Sequence, residues 1–437
     1  MPKKVVVGVV SDTHGLLRPE AVAQLLALVL FAGCTRPPRA EPPVPPVKSA
    51  APAADCGADR FGSEASFALD RADLLARGAS PKLLGKLHRS PYAYFRALAR
   101  PFELRTCARF RDERWHLPVV AIHGDPHVEQ FVVTPTTAAL EDFDQSGYGP
   151  AVVDIVRYAA SVHLICRGVT WSCDADRVVS GYLGAYRASL DQPPQRSPLA
   201  VTARIRRETP ALAEHWIAWA EGLFQPLSPH DEERVRRGWA GFRQLEAEVH
   251  PERPAAYYDI VRVGSLQMGV GSALETKLLL RLRGPTDAPG DDLIVEARTA
   301  VPPTGNQCAL RPLHGGALQP LMFMTLIGPR MPEVYGFAAL GTETAPEFWV
   351  QSWLPGYHEL SIEDLRSDAD LVELAEDAAR QLAGHFWTRF PEALRAVQRQ
   401  AQLKAFDRTA ARATALAREF ANETLREWER FRATKTP

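Results

Sequence analysis

Residues 121–131 read AIHGDPHVEQF and residues 140–154 read LEDFDQSGYGPAVVD, which puts Asp125, His127, Glu129, Asp142, Asp144 and Asp154 into one short segment. Apolar, strand-like runs border both stretches: PVVAI leads into the first, and QFVVTPTTAAL joins the two. A strand that ends in a polar turn delivers its last side chains to one edge of a sheet. Carboxylates gathered at such an edge are suited to holding a metal or moving a proton. Acids in turns also cap backbone amides. Glu129 and Asp144 are read equally well in that way, whereas Asp125 and Asp142 are the candidate chemical groups.

Upstream of this segment, residues 57–118 read mainly as helices, with Ser90 as an N-cap and Pro91 in the first turn. Downstream, GPAVVDIVRYAASVHLICRG (149–168) reads as a buried helix. The stretch YDIVRVGSLQMGVGSALETKLLLRLRG (258–284) reads as a glycine hairpin whose later half alternates as a strand should. There Gly269, Gly271 and Ser272 let backbone N–H groups approach a phosphate, although hairpins use glycine in any case. A strand and turn at 347–360, an amphipathic helix at 370–390 and a charged helix with apolar spacing over 391–437 complete the reading. His385, in the first of these two helices, reads as a packing histidine.

The chain of 437 residues, 46% hydrophobic, is long enough for two or three structural units around an ordinary core. With 51 basic and 52 acidic residues it lacks the basic footprint of a nucleic-acid binder, so the expected partner is a small molecule or a protein. Residues 37–52 hold seven prolines and read as an extended, solvated tether. Ahead of the tether, AVAQLLALVLFAGC (21–34) has an apolar run too short for a bilayer-spanning helix, which needs about 20 residues, and it has the length of a secretory apolar region. Five cysteines besides Cys34 remain, at 56, 107, 166, 173 and 308, without zinc-like spacing. In an exported chain Cys166 and Cys173 are the nearest pair to bridge; in a cytosolic one they are buried thiols.

The N-terminal KKVVVGVVSDTHG (3–15) is a β-branched strand that delivers Asp12 and His14 to one face at its end, as a two-metal hydrolytic site would begin. Residues 4–34 resemble the opening of calcineurin-like metallophosphoesterases. Cys34 stands where that family's next ligand Asp is expected, and its later GNHD and GHTH motifs are missing. The ending LFAGC also resembles a bacterial lipobox. That resemblance implies a lipid on Cys34 and an anchored lipoprotein facing the periplasm or the outer surface, the alternative being a cytoplasmic protein.

The central motifs carry a more extensive resemblance. HGDPHVEQF is similar to the catalytic loop HGDxHxxN of aminoglycoside phosphotransferases, and EDFDQSGYGP to their metal-binding segment. An uncharacterised bacterial family of unknown function with such a kinase-like core is more similar still. Its motifs appear here as SPYAYFRAL (90–98), GDPHVEQF (124–131), DFDQ (142–145) and GPAVVDIVRYAAS (149–161), in that order. The resemblance extends over about 85–390 and implies an α+β, protein-kinase-like fold with the lobes in permuted order, because the glycine hairpin follows the catalytic motifs. It also implies ATP and Mg²⁺ as cofactors, with Asp125 acting on the acceptor, Asp142 as the main metal ligand, and Gln130 and Asp144 beside it. Asp154 is expected to brace the catalytic loop through backbone hydrogen bonds, and His123 to buttress it.

Two departures bear on activity. Gln130 replaces the family Asn, and Val295 falls where a phosphate-anchoring lysine is expected. Arg298 is expected on the opposite face of that strand, and Lys277 compensates only if it turns inward. The expected organisation is 1–34 (metallophosphoesterase-like or signal-like), 35–55 (linker), 56–250 (helical, catalytic-loop lobe), 251–355 (glycine-loop β lobe) and 356–437 (helices completing the core). The expected function is a kinase-like phosphotransferase; the alternatives are a non-catalytic, pseudokinase-like lipoprotein and a metallophosphoesterase using Asp12 and His14.

Overall fold

A computed structural model describes residues 61–209, 215–266, 276–299, 308, 334–340, 348–356, 358–388 and 392–434. Asp12, His14, Cys34, Cys56 and the proline-rich tether lie outside these residues, as do Gly269, Gly271 and Ser272. The described chain is of the α+β class.

Its helical part opens with four short helices, α1 (Arg71–Ala76), α2 (Pro81–Arg89), α3 (Pro91–Arg96) and α4 (Ala99–Arg109). Side-chain caps set the starts of the first three: Asp70 accepts from Ala72 N, Ser80 from Leu83 N and Ser90 from Ala93 N, with proline opening α2 and α3. Strand β1 (Val119–Ile122) pairs antiparallel with β4 (Gly147–Pro150). Between them the chain forms the hairpin β2 (Phe131–Val133) and β3 (Ala138–Leu140), which leads to a short 3₁₀ turn at Phe143–Gln145. Helix α5 (Val152–Gly168) follows, buried on every face from Val152 to Ile165, and forms the axis of this part. Around α5 and the next helix, α6 (Ala175–Asp191), pack α4, α10 (Asp368–Thr388) and α11 (Glu392–Ala433). Helix α7 (Ala200–Glu208) and the loop before it are held to α10 by two forked ion pairs, Arg204 with Asp370 and Arg196 with Asp377.

The second part is a five-stranded antiparallel sheet in the order β5 (Ile260–Ser265), β6 (Lys277–Leu282), β7 (Leu293–Thr299), β9 (Phe348–Ser352), β8 (Tyr335–Ala338). Alternation along the strands divides its side chains between two faces. Leu278, Leu280, Val295, Ala297, Phe348 and Val350 enter one core with Val235, Trp239 and Phe242 of α9 (Pro229–Val249). The other face carries Lys277, Leu279, Glu296, Arg298 and Gln351. Its apolar members Leu279 and Ile294 meet Trp216 and Ala220 of α8 (Trp216–Glu221) and Trp353. Helix α9 therefore goes with the sheet, and a boundary at 251 separates it from the strands it covers. After β9 the chain returns through Trp353 to β10 (His358–Glu359), which joins the edge of the β2–β3 hairpin.

Among the described residues two disulfides are present, Cys166–Cys173 and Cys107–Cys308. The first is the sequence-adjacent pair. The second fastens α4 to a position beyond the end of β7, and with a separation of 201 residues it has no local sequence signal.

Candidate active site

The polar face of the sheet meets the two acidic loops. Asp154, in the first turn of α5, accepts from His123 N and Gly124 N, each at 2.8 Å, and so fixes the turn that presents Asp125. This is the bracing role expected of Asp154. Burial still raises its carboxyl to about 7, against the lowering effect of those two amides. Gly124 adopts φ +85°, and a Cβ there would lie 1.9 Å from the Gln145 carbonyl oxygen, so the two loops touch backbone to backbone. His123 approaches Glu141 O with Nε2 at 2.9 Å and packs at a tilt against Phe143, with ring centroids 4.9 Å apart. Burial lowers its pKa to about 4, so the ring is neutral and acts as a buttress.

Asp125 is buried and bonded to Arg157 Nε at 2.7 Å. Arg157 lies one turn beyond Asp154 on α5, is itself buried, donates to Phe95 O at 3.1 Å and stacks on the Phe95 ring at 3.5 Å. Burial raises the Asp125 pKa, Arg157 opposes the rise and Asp142 adds to it. Arg157 lies within the GPAVVDIVRYAAS motif, but the sequence reading assigned it no role. The available signal was its spacing of three from Asp154, which places both on one helix face.

Asp142 opens the 3₁₀ turn in a left-handed conformation, φ 64°. From the polar face of the sheet, Arg298 donates from Nη1 to Asp142 Oδ1 at 2.8 Å and to Asp144 Oδ2 at 3.3 Å, and from Nε to Glu296 at 2.5 Å. Its guanidinium lies 5.2 Å from the Trp349 ring centroid. Lys277 sits opposite Arg298 in the β6–β7 register, is 4% exposed and approaches Glu296 to 3.8 Å. Burial would raise Asp142, but Arg298 and then Lys277 bring it down to about 2. The same two cations overcome burial at Glu296 and lower it. Burial and then the Asp142 charge raise Glu141 to about 8 against the pull of Arg298, and Gln351 Nε2 donates to it at 2.9 Å.

These facts revise the expectation about Val295. That residue is fully buried in the core under α9, so the face where a cation was expected belongs to its neighbours. Lys277 turns inward, and Arg298, opposite to Val295 as expected, thereby enters the site. Gln130 is buried between the loops: its backbone N–H donates to His127 O, and its carbonyl accepts from Glu141 N, one residue before Asp142. Glu129 is occupied structurally by Arg96 at 3.0 Å and by Ile362 N at 3.2 Å. His127 is buried against the Tyr92 hydroxyl, 3.1 Å from its Nδ1. His385 packs inside α10 with Nδ1 2.8 Å from Leu382 O, as read from sequence.

Residues 79–215 match the model of a bacterial family. It is described as an uncharacterized protein conserved in bacteria (DUF2252). The DUF2252 match takes in all four central motifs and ends ahead of the sheet that supplies Lys277, Glu296 and Arg298. No curated protein and no solved structure matches the chain.

Among the described residues, no group of three or more His, Cys, Asp and Glu is placed to hold a metal ion. Asp142 and Asp144 converge instead on the Arg298 guanidinium. Two carboxylates that share one cation are nevertheless hard oxygen donors of the type Mg²⁺ takes, since it needs only one or two protein carboxylates when phosphates supply other ligands.

Proposed function

We propose that the acidic loops and the polar face of the sheet form a kinase-like phosphotransferase site that binds a nucleoside triphosphate with Mg²⁺ and passes a phosphoryl group to a small molecule or a protein. One observation carries the reading. Asp154 fixes the His123–Gly124 turn that presents Asp125, while on the neighbouring loop Asp142 and Asp144 meet Arg298 of the sheet, with Lys277 opposite it in register. Phosphoryl transfer requires little more than such positioning and charge. Asp142 and Asp144 would hold the metal with Gln130 beside them, and Mg²⁺ when bound neutralises charge on the phosphate oxygens. Asp125 orients the acceptor hydroxyl and takes its proton, its carboxylate held in place by Arg157. Lys277 and Arg298 supply the positive charge that Val295 cannot, and Glu296 pairs with both on the polar face of the sheet.

The test is binding of Mg²⁺-ATP to the full chain by calorimetry and by thermal shift. Binding should occur in the parent and fall roughly tenfold or more in Asp142→Asn, which removes one metal-held charge. Absence of any nucleotide-dependent shift in the parent overturns the reading.

A second reading, a non-catalytic nucleotide-binding protein, is favoured by the two disulfides. Such bonds persist in oxidising compartments, where ATP is scarce. It differs in one measurable respect: nucleotide binds, but no γ-phosphate is released or transferred.

A further inference from the structure

The carboxylates best suited to a metal already hold a cation, and that cation belongs to the chain. Arg298 makes three carboxylate contacts: Nη1 reaches Asp142 at 2.8 Å and Asp144 at 3.3 Å, and Nε reaches Glu296 at 2.5 Å. The first two partners lie on the loop of the helical part, more than 150 positions away in sequence, whereas Glu296 lies two residues away on the same strand face. The contacts are therefore of two kinds. The Nε bond to Glu296 is local and survives any movement between the parts; the Nη1 bonds join the sheet to the acidic loop.

A divalent ion bound by Asp142 and Asp144 would have to share their oxygens with a guanidinium about 3 Å away, and like charges so close repel strongly in a buried site. We propose that Arg298 is the site's own counter-cation, holding Asp142 and Asp144 together in the absence of metal and giving up both when Mg²⁺ enters. It then turns about its Glu296 bond to place Nη1 on the phosphates that arrive with the metal. The inference rests on the phosphotransferase reading for the identity of the incoming groups. Two features favour the movement. The Trp349 ring, 5.2 Å from the guanidinium, gives the displaced group an aromatic face to rest on. Glu296 is itself steadied by Trp353 Nε1 at 2.9 Å and by Lys277 at 3.8 Å, so the pivot is held independently of Arg298. The device makes metal and nucleotide binding mutually dependent: metal alone must displace the arginine unaided, whereas metal with phosphates offers the arginine a new partner.

The test uses Mn²⁺ in place of Mg²⁺, followed by electron paramagnetic resonance on the full chain without nucleotide. Parent protein should bind Mn²⁺ weakly. Arg298→Met, which keeps the apolar stem, should bind it roughly tenfold or more tightly, and Arg298→Lys, which cannot bridge both aspartates, should fall between. With an ATP analogue present the order should reverse, because the methionine variant lacks the group that meets the phosphates. Equal Mn²⁺ affinity in the folded parent and variants overturns the proposal. A crystal of the parent soaked in Mn²⁺ decides the matter without a variant. An anomalous peak between Asp142 and Asp144 with Arg298 turned away supports the proposal, whereas no peak there, or a peak with the guanidinium still on both carboxylates, overturns it. If Arg298→Met gains Mn²⁺ affinity while the parent binds no nucleotide, the counter-cation role stands and the phosphotransferase reading fails.

Discussion

Arg298 Nη1 lies 2.8 Å from Asp142 Oδ1 and so joins the last polar-face position of β7 to the first acid of the DFD turn, 156 residues away. The pair should be visible in the pH dependence of stability. In the folded chain Asp142 titrates at about 2, below its ordinary 3.8, with Arg298 the leading cause of the lowering. A depressed folded value means that the unfolded chain binds more protons between those limits. The stabilisation is therefore complete above about pH 4 and is lost as pH falls through 2. Urea unfolding of the parent and of Arg298→Met should show a stability gap that narrows by on the order of 2 kcal/mol between pH 5 and pH 2. Glu141, raised to about 8, stays protonated in the folded chain across this window and does not mask the trend.

Gly124 and Gly78 form a matched pair for testing how closely the two acidic loops are packed. Both have positive φ, +85° and +89°, but a Cβ at Gly78 meets nothing within 4 Å, whereas at Gly124 it would lie 1.9 Å from Gln145 O. Alanine at Gly78 should cost only the left-handed strain of about 1–2 kcal/mol. Alanine at Gly124 must add the displacement of a backbone carbonyl, so its urea midpoint should fall clearly further and the nucleotide-dependent thermal shift should vanish. Equal midpoints for the two variants would show that the loops separate easily.

Asp154→Ala should expose the brace directly. It leaves the His123 and Gly124 amides without their acceptor inside a buried turn, at a cost of about 1–3 kcal/mol for each unmade bond. Hydrogen exchange followed by mass spectrometry should show the peptide containing these two amides losing protection, beyond the change in peptides from α10. Uniform loss across the chain would mean that Asp154 contributes general stability and does not specifically hold the loop.

Much of this site could be read from sequence because its parts are short-range. A strand, a glycine turn and an acid must end at one point, and Asp154 stands three residues into the helix that starts just after β4. The serine-proline pairs likewise declare their helix starts locally. The site's cations were harder to place. Alternation along β7 puts Val295 and Arg298 on opposite faces, but which face meets the acidic loops is decided by α9, whose Val235, Trp239 and Phe242 claim the Val295 side. That choice is made by a helix about fifty residues upstream, and no periodicity within the strand records it. Arg157 was obscured for a similar reason: an arginine in an otherwise apolar helix interior acquires meaning only when Asp125 is seen to be its partner.

Loss of the two disulfides should cost different amounts of stability because they close loops of different length. Cys166–Cys173 spans 7 positions and Cys107–Cys308 spans 201. On chain-entropy grounds the short loop contributes about 2–3 kcal/mol and the long one about 5 kcal/mol. The long bridge also joins α4, which packs on α5, to Cys308, beyond the end of β7 in sequence. Replacing Cys107 and Cys308 together by alanine should therefore lower the denaturation midpoint more than replacing Cys166 and Cys173, and should weaken Mg²⁺-ATP binding as well. Measured on both double variants under non-reducing conditions, a larger loss from the Cys166–Cys173 pair would show that the long bridge does not restrain the unfolded chain or align the two parts.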